Sequence, residues 1–260
     1  MADGPRVRLE QEGDLAVVVI DDPPLNLFGN EMLNDALAIL EEAEGEMPRA
    51  MLVRAEGEVF TAGADVSVFA GRSEAQAREF FKDLIRLAHK VEDLPFPTLS
   101  VVHGLCLTAG FELSLACDMI WAAESAKFGL VEAVVGLTPA MGGTQRVAER
   151  AGPARARELV MSAGLYDATT LERWNVVNRV LPDGELLEKA TRFGQRLASG
   201  PTRAHLATKR IVRAFLDEGV RGADARVPEI AAPLFETEDL QRAVQSFLAE
   251  GPGKARFEGR

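Results

Sequence analysis

The feature that most constrains the fold is an alternation of strand-like and helix-like segments along the first half of the chain. Apolar runs at Leu15 to Ile20, Ala50 to Arg54 and Thr98 to Val102 have the length of buried strands. Two segments with helical spacing, Met32 to Leu40 and Ala75 to Val91, separate these runs. This order predicts an α/β fold in which helices cover a largely parallel sheet.

The pattern also predicts where elements begin and end. Asn30 is a candidate N-cap for the first helix, and Gly45 is a candidate stop. Another short strand is expected at Met119 to Ala122. From Gly184 onward apolar residues keep helical spacing and no strand follows. Because single helices of this length are marginal in water, we expect a region that packs on the core or mediates oligomerisation.

The net charge limits the partners of the chain. With 29 basic and 40 acidic residues among 260, the formal charge is −11, which disfavours non-specific binding to nucleic acid or to an anionic membrane. The longest low-charge window, Thr98 to Phe111, is shorter than the roughly 18 apolar residues of a membrane helix. The apolar run near the start is too short for a signal peptide, so we expect a cytoplasmic protein.

Two loops rich in small residues follow neighbouring predicted strands. FTAGAD comes after the Ala50 to Arg54 strand, and LTAGFE comes after the Thr98 to Val102 strand. Since ligands bind at the carboxyl ends of parallel strands, both loops are expected at one edge of the sheet. The N–H of Ala64 and the first N–H groups of the helix that starts near Thr108 can then form an oxyanion hole.

Two carboxylates lie in apolar surroundings near these loops. Glu112 falls in the first turn of the helix after LTAGFE, where burial raises its pKa and the helix dipole lowers it; we expect burial to dominate. Glu132 lies in FGLVEAVVG, between Gly129 and Gly136. Such a pair suits acid/base work on one substrate. Alternatively, Glu112 caps its own helix or pairs with an arginine, and Glu132 is a structural capping partner.

Two longer segments of the sequence resemble a known protein family. FTAGADVSVF and VVHGLCLTAGFELSLACDMIWAAESAKFGLVEAVVGLTPAMGGTQR are similar, in order and spacing, to segments of the enoyl-CoA hydratase/isomerase (crotonase) superfamily. The resemblance implies a crotonase-like spiral core of ββα units over residues 1–195. It also implies a helical trimerisation region over residues 196–260, and therefore a homotrimer or a hexamer built as a dimer of trimers.

The resemblance further implies the substrate and the chemistry. An acyl-CoA thioester oxygen is expected to accept hydrogen bonds from the N–H groups of Ala64 and Ala109, with coenzyme A as part of the substrate and no separate cofactor. Glu112 and Glu132 would then add water syn across the double bond of a 2-enoyl-CoA, in fatty acid metabolism. The remaining expected substrate-binding residues are Ala62, Gly63, Asp65 and Gly110.

Two alternatives accompany the hydratase interpretation. A 3,2-enoyl-CoA isomerase would use Glu132 to move a proton between carbons, with Glu112 as a spectator. A non-catalytic homologue would bind acyl-CoA without turnover. This possibility arises because Ala109 stands where the family usually has glycine. A lysine that often contacts the CoA phosphates is replaced by Ser67 or Val68, which leaves Lys254 and Arg256 as candidate phosphate contacts.

Other motifs do not support a different chemistry. The three histidines are too dispersed for a metal cluster, so no metal is expected. The dinucleotide-binding, phosphate-loop and serine-hydrolase signatures do not occur. The charge-rich segment from Arg146 to Arg157 is expected to be a solvated helix face.

Overall fold

A computed structural model describes residues 5–260 of the chain and has a mixed α/β architecture, which confirms the expected fold class. Within residues 5–260, nine strands form two sheets. The strands are β1 (Val7–Glu12), β2 (Leu15–Ile20), β3 (Ala50–Ala55), β4 (Thr98–Val102), β5 (Leu105–Leu107), β6 (Met119–Ala123), β7 (Lys127–Gly129), β8 (Tyr166–Asp167) and β9 (Arg179–Leu181).

Nine α-helices surround these sheets in the described part of the chain. They are α1 (Asn30–Glu46), α2 (Glu74–Asp93), α3 (Thr108–Ala116), α4 (Gly143–Ala151), α5 (Pro153–Ser162), α6 (Ala168–Arg173), α7 (Asp183–Ala198), α8 (Thr202–Ala231) and α9 (Glu238–Glu250). Three short 3₁₀ segments, Val66–Phe69, Glu132–Val135 and Ala232–Glu236, lie between them.

The main sheet has the strand order β1-β2-β3-β4-β6-β9. The pair β1–β2 is antiparallel, and every other pair in this sheet is parallel. β2 is buried along its whole length because it lies between two strands and is apolar throughout. Helix α7 packs on this sheet, where Gly194 lies against Leu15 and Leu52. The expected boundary between residues 195 and 196 therefore falls inside a helix that covers the core.

The first helix corrects two sequence predictions about its ends. Asn30 is the first helical residue and not the N-cap, which is Gly29. Gly45 does not end the helix either, because α1 continues to Glu46 and the left-handed position that terminates it is Met47, with φ of 51°. In contrast, the strand predicted at Thr98 to Val102 has the same bounds in the structure.

The smaller sheet has the order β5-β7-β8 and contains a strand that the sequence pattern did not separate from its neighbours. Two residues separate the end of β4 from the start of β5, and β5 leads directly into α3. Its partner β7 runs parallel to it, and β8 is antiparallel to β7. This sheet therefore holds the start of α3 in a fixed place.

The C-terminal region is helical, as the sequence predicts. Helix α8 is interrupted at Gly219, whose φ of 73° and ψ of −180° lie outside the helical range. Large apolar side chains are exposed on this region, including Phe215, Val220, Phe235, Phe247 and Leu248. Among residues 5–260, no helix has both the length and the apolar character that crossing a membrane requires.

Candidate active site

The two small-residue loops meet at one edge of the fold. Between them, the Thr61 N–H donates to Leu105 O at 2.9 Å, and the Leu107 N–H donates to Thr61 O at 3.1 Å. Gly110 permits this approach, because a Cβ at that position would lie 1.9 Å from Thr61 Cγ2. The structure thus places FTAGAD and LTAGFE side by side.

A cavity of about 230 Å³ opens where these loops meet. Ala62, Ala64, Ala109, Glu112 and Glu132 all line it. Most of its wall is apolar and includes Leu33, Phe69, Phe80, Phe81, Leu84 and Leu137. Both carboxyl groups therefore face one space in a largely hydrocarbon environment, which is the arrangement expected from the sequence.

Three of the expected substrate-binding residues are not part of the cavity wall. Gly63 and Gly110 are buried behind it, where their missing side chains allow close packing. Asp65 caps the 3₁₀ segment Val66–Phe69, since its Oδ1 accepts the Ser67 N–H at 2.9 Å. These three residues support the loops, and nothing in the geometry gives them contact with a molecule in the cavity.

The two expected amide donors differ in whether their N–H already has a hydrogen-bond acceptor. Ala109 is the second residue of α3, so its N–H has no acceptor within the helix. The Ala64 N–H is not free, which corrects the expectation that it is available, because it donates to Thr108 Oγ1 at 2.8 Å. The sequence pattern indicated only backbone N–H groups near Thr108 and did not identify a role for its side chain, although the structure places Thr108 on the cavity wall.

Glu112 is 3% exposed and is held by a loop distant in sequence. Its Oε1 accepts the Met141 N–H at 2.9 Å and the Gly143 N–H at 2.8 Å. Burial raises the pKa of Glu112 to about 7, although the hydrogen bond from Gly143 acts in the opposite direction and the charge of Glu132 adds to the rise. Burial therefore dominates, as expected, and the alternative in which Glu112 caps its own helix is wrong.

Glu132 begins the 3₁₀ segment Glu132–Val135 and contrasts with Glu112 in its bonding. Its Oε2 is buried and has no hydrogen-bond partner. Burial raises the pKa of Glu132 to about 7. A buried carboxyl oxygen without a partner carries an uncompensated desolvation cost, and such groups occur where a ligand or water completes the bonding.

An ion pair between a buried arginine and a half-buried glutamate supports the loop that holds Glu112. Arg146 is 6% exposed, and its guanidinium binds both carboxylate oxygens of Glu92, at 2.8 and 2.6 Å. The same guanidinium donates to Met141 O and Gly142 O, at 3.4 and 3.3 Å. The prediction of a solvated face from Arg146 to Arg157 is thus wrong for Arg146. It is also wrong for Arg150, which is half-buried and donates to the backbone carbonyls of Leu115 and Cys117.

The cations expected to contact the CoA phosphates are not part of the cavity wall. Lys254 and Arg256 are exposed and do not line it. Arg72 lies next to the cavity instead, with its guanidinium 4.3 Å from the ring centre of Phe80. Over residues 5–260 there is also no group of three His, Cys, Asp or Glu side chains placed to hold a metal ion.

The raised pKa of Glu112 predicts a pH dependence of stability. The folded carboxyl keeps its proton up to pH about 7, whereas the unfolded value is 4.5. Its contribution to the free energy of unfolding is therefore complete below pH 4.5 and is lost as the pH rises through about 7. In urea unfolding, the free energy of unfolding of the wild type should therefore fall relative to that of Glu112→Gln as the pH rises between these limits. An identical pH slope in both proteins would contradict the assignment.

Comparison with known proteins places this geometry in a family context. The family model described as enoyl-CoA hydratase/isomerase matches residues 10–260. An enoyl-CoA isomerase/hydratase of Mycosarcoma maydis is 33% identical, with 88% of each chain covered. A crotonyl-CoA hydratase of Syntrophomonas wolfei is 32% identical, with 96% of each chain covered.

Solved structures agree with these sequence matches. An enoyl-CoA hydratase subunit I from Geobacillus kaustophilus has a TM-score of 0.91 at 29% identity, with 98% of each chain covered. An enoyl-CoA hydratase from Bacillus anthracis has the same TM-score of 0.91 at 27% identity, with 98% of this chain and 100% of that chain covered. With its crotonase-like fold and a family match over nearly its whole length, the chain belongs to the enoyl-CoA hydratase/isomerase family.

Proposed function

We propose that the protein is an enoyl-CoA hydratase, which adds water syn across the double bond of a 2-enoyl-CoA. The observation that carries the proposal is the placement of Glu112 and Glu132 on one apolar cavity, each with its pKa raised to about 7. A proton donor and a proton acceptor work best when their pKa values lie near the working pH.

The two carboxyl groups suit different parts of this reaction. Glu112 has one oxygen fixed by two amides, which orients the other oxygen to accept a proton from the attacking water. Glu132 has a buried oxygen without a partner, which in its protonated form can deliver a proton to Cα. Since the negative charge of one carboxylate disfavours that of the other, a state with one proton on the pair is favoured.

The remaining features of the cavity fit a thioester with a hydrocarbon tail. As water adds to Cβ, negative charge develops on the thioester oxygen, and the N–H groups of Ala64 and Ala109 are the donors proposed to stabilise it. The apolar wall formed by Phe69, Phe80 and Phe81 suits an acyl chain. Arg72 is the side chain proposed to contact the CoA phosphates, since guanidinium groups bind phosphate well.

Isomerisation of 3-enoyl-CoA is the second candidate. It needs a single mobile proton carrier, and Glu132 has a buried oxygen without a hydrogen-bond partner, whereas one oxygen of Glu112 is already bonded twice. The relative from Mycosarcoma maydis carries both activities in its name. In this alternative Glu112 affects the reaction only through its charge.

The decisive experiment is product analysis with purified protein on matched 2-enoyl- and 3-enoyl-CoA substrates of increasing chain length, without added metal or nucleotide. We expect 3-hydroxyacyl-CoA from the 2-enoyl series. Formation of 2-enoyl-CoA from the 3-enoyl series, without hydration, would select the isomerase. Binding of acyl-CoA without turnover of either series would select the non-catalytic alternative.

We also propose that the protein assembles as a trimer or as a dimer of trimers through its C-terminal helices. Exposed apolar side chains such as Phe215, Val220 and Phe247 support this proposal, because burying them would favour association. Sedimentation velocity separates a monomer, a trimer and a hexamer, and a monomer at micromolar concentration would contradict it.

A further inference from the structure

Thr108 has an unusual backbone for its residue type. It is the first residue of α3, and its φ is +44°, in the left-handed region that β-branched residues rarely enter. Among the described residues it is the only β-branched one with a positive φ; the other non-glycine cases are two asparagines, a methionine and an alanine. Such backbone strain persists only where surrounding contacts hold it, and it is frequent at functional sites.

The contact that accompanies this strain is made by the hydroxyl group. Thr108 Oγ1 accepts the Ala64 N–H at 2.8 Å, and it also packs against Gly63, where a Cβ would lie only 2.5 Å away. Thr108 is 7% exposed and lines the cavity beside Ala109. Its hydroxyl oxygen therefore occupies the hydrogen-bonding position of one of the two amides that would bind a thioester oxygen.

Two oxygens cannot both accept this hydrogen with good geometry. A backbone N–H prefers a single acceptor near 2.9 Å and close to linear, and Thr108 Oγ1 already satisfies that condition. A ligand oxygen can take its place only if the threonine side chain turns about its Cα–Cβ bond. A threonine can make this rotation because its γ-oxygen, γ-methyl and β-hydrogen can exchange positions among staggered rotamers.

We propose that the Thr108 hydroxyl is a gate on the oxyanion site: it holds the Ala64 N–H in the free protein and must rotate away before a thioester oxygen binds there. This inference rests on the proposed function, since it concerns how that function's acyl-CoA enters the site. It makes Thr108 a specificity-determining residue. Only ligands with an oxygen able to replace the hydroxyl gain from displacing it, whereas apolar groups leave a buried N–H without a partner.

The gate predicts opposite effects for two substitutions of similar polarity. Thr108→Ala removes the competing oxygen and the β-branch, so binding of a thioester should become about fivefold tighter, equivalent to about 1 kcal/mol and to the net value of one hydrogen bond. Thr108→Val keeps the shape but places a methyl group against the Ala64 N–H, so binding should become weaker. Thr108→Ser restores the hydroxyl and should return the affinity of the alanine variant toward that of the wild type.

The experiment uses two inert ligands that differ by one oxygen, which two hydrogens replace in the second. Titration calorimetry compares hexanoyl-CoA with S-hexyl-CoA, in which a CH₂ group replaces the thioester carbonyl. The gate requires that Thr108→Ala binds hexanoyl-CoA more tightly than the wild type does and binds S-hexyl-CoA with unchanged affinity. If Thr108 has only a structural role, the alanine variant binds hexanoyl-CoA more weakly, or its affinity for both ligands changes by the same factor. Either result overturns the gate.

The same titrations separate failure of the gate from failure of the proposed function. Absence of hexanoyl-CoA binding by the wild type, or equal affinity of the alanine variant for the two ligands, would also overturn the gate, because the Ala64 N–H freed by the substitution would then bind no thioester oxygen. The proposed function is decided independently by turnover of the enoyl-CoA series by the wild type. A thermal unfolding curve for each variant verifies that an affinity change is not a loss of folded protein.

Discussion

Replacing Glu132 by glutamine is expected to reduce the turnover of 2-enoyl-CoA by about 10²- to 10⁴-fold, which is the usual contribution of a general acid or base. The amide has nearly the same shape as the carboxyl group but cannot deliver a proton to Cα. The fold should remain intact, because Glu132 Oε2 has no hydrogen bond to lose and a neutral group is favoured at this buried position. Steady-state kinetics on the best substrate of the chain-length series measures the effect.

A matched control makes this result interpretable. Glu188 is exposed, pairs with Arg192 on α7, and does not line the cavity. Glu188→Gln removes the same negative charge and should leave turnover within a factor of about two, since isolated surface ion pairs contribute little. Full turnover by Glu132→Gln, with the control behaving as described, would exclude Glu132 as the proton donor and with it the proposed mechanism.

Replacing Arg146 by methionine should destabilise the protein by about 3 kcal/mol, because it removes a buried arginine and leaves the half-buried carboxylate of Glu92 without its nearest cation. We place the effect at the low end of the usual range since Arg213 also approaches Glu92, at 4.0 Å. For a chain of this size, the melting temperature should fall by roughly 6 to 12 °C. Turnover should fall as well, because the loop that holds Glu112 loses the contacts of Arg146 to Met141 and Gly142.

Two further variants test whether the pair with Glu92 is the cause. Arg157 is exposed on α5, so Arg157→Met removes a charge of the same sign without opening a buried pair and should have little effect on stability. A double-mutant cycle with Glu92→Gln then measures the coupling. If Arg146→Met is as stable as Arg157→Met, or if the cycle shows no coupling, the ion pair does not stabilise the loop.

Much of the fold and several parts of the site could be predicted from local sequence patterns. The strand at Thr98 to Val102 is recognisable because a short apolar run between proline-rich and glycine-rich segments has few other structures available. The neighbouring positions of the two loops follow from the order of parallel strands. Glu112 and Glu132 stand out since a carboxylate inside an apolar run must have a specific environment.

The residues that the sequence did not reveal depend on contacts between distant parts of the chain. Arg146 reaches Glu92 across 54 positions of sequence, and no local pattern distinguishes this pair from arginines and glutamates on a solvated helix. The role of Thr108 depends on a backbone conformation that its residue type rarely adopts. The strand β5 was hidden because only two residues separate it from β4. Each of these features is set by tertiary packing.

The close approach of Gly110 to Thr61 has a consequence for how this site can vary in evolution. Because a β-carbon at residue 110 would lie 1.9 Å from the Thr61 methyl group, substitutions at these two positions depend on each other. A larger residue at 110 is compatible with the loop junction only when 61 becomes smaller. We therefore expect positions 61 and 110 to covary in alignments of relatives. In mutant libraries, functional variants with a residue other than glycine at 110 should be recovered only when both positions are randomised.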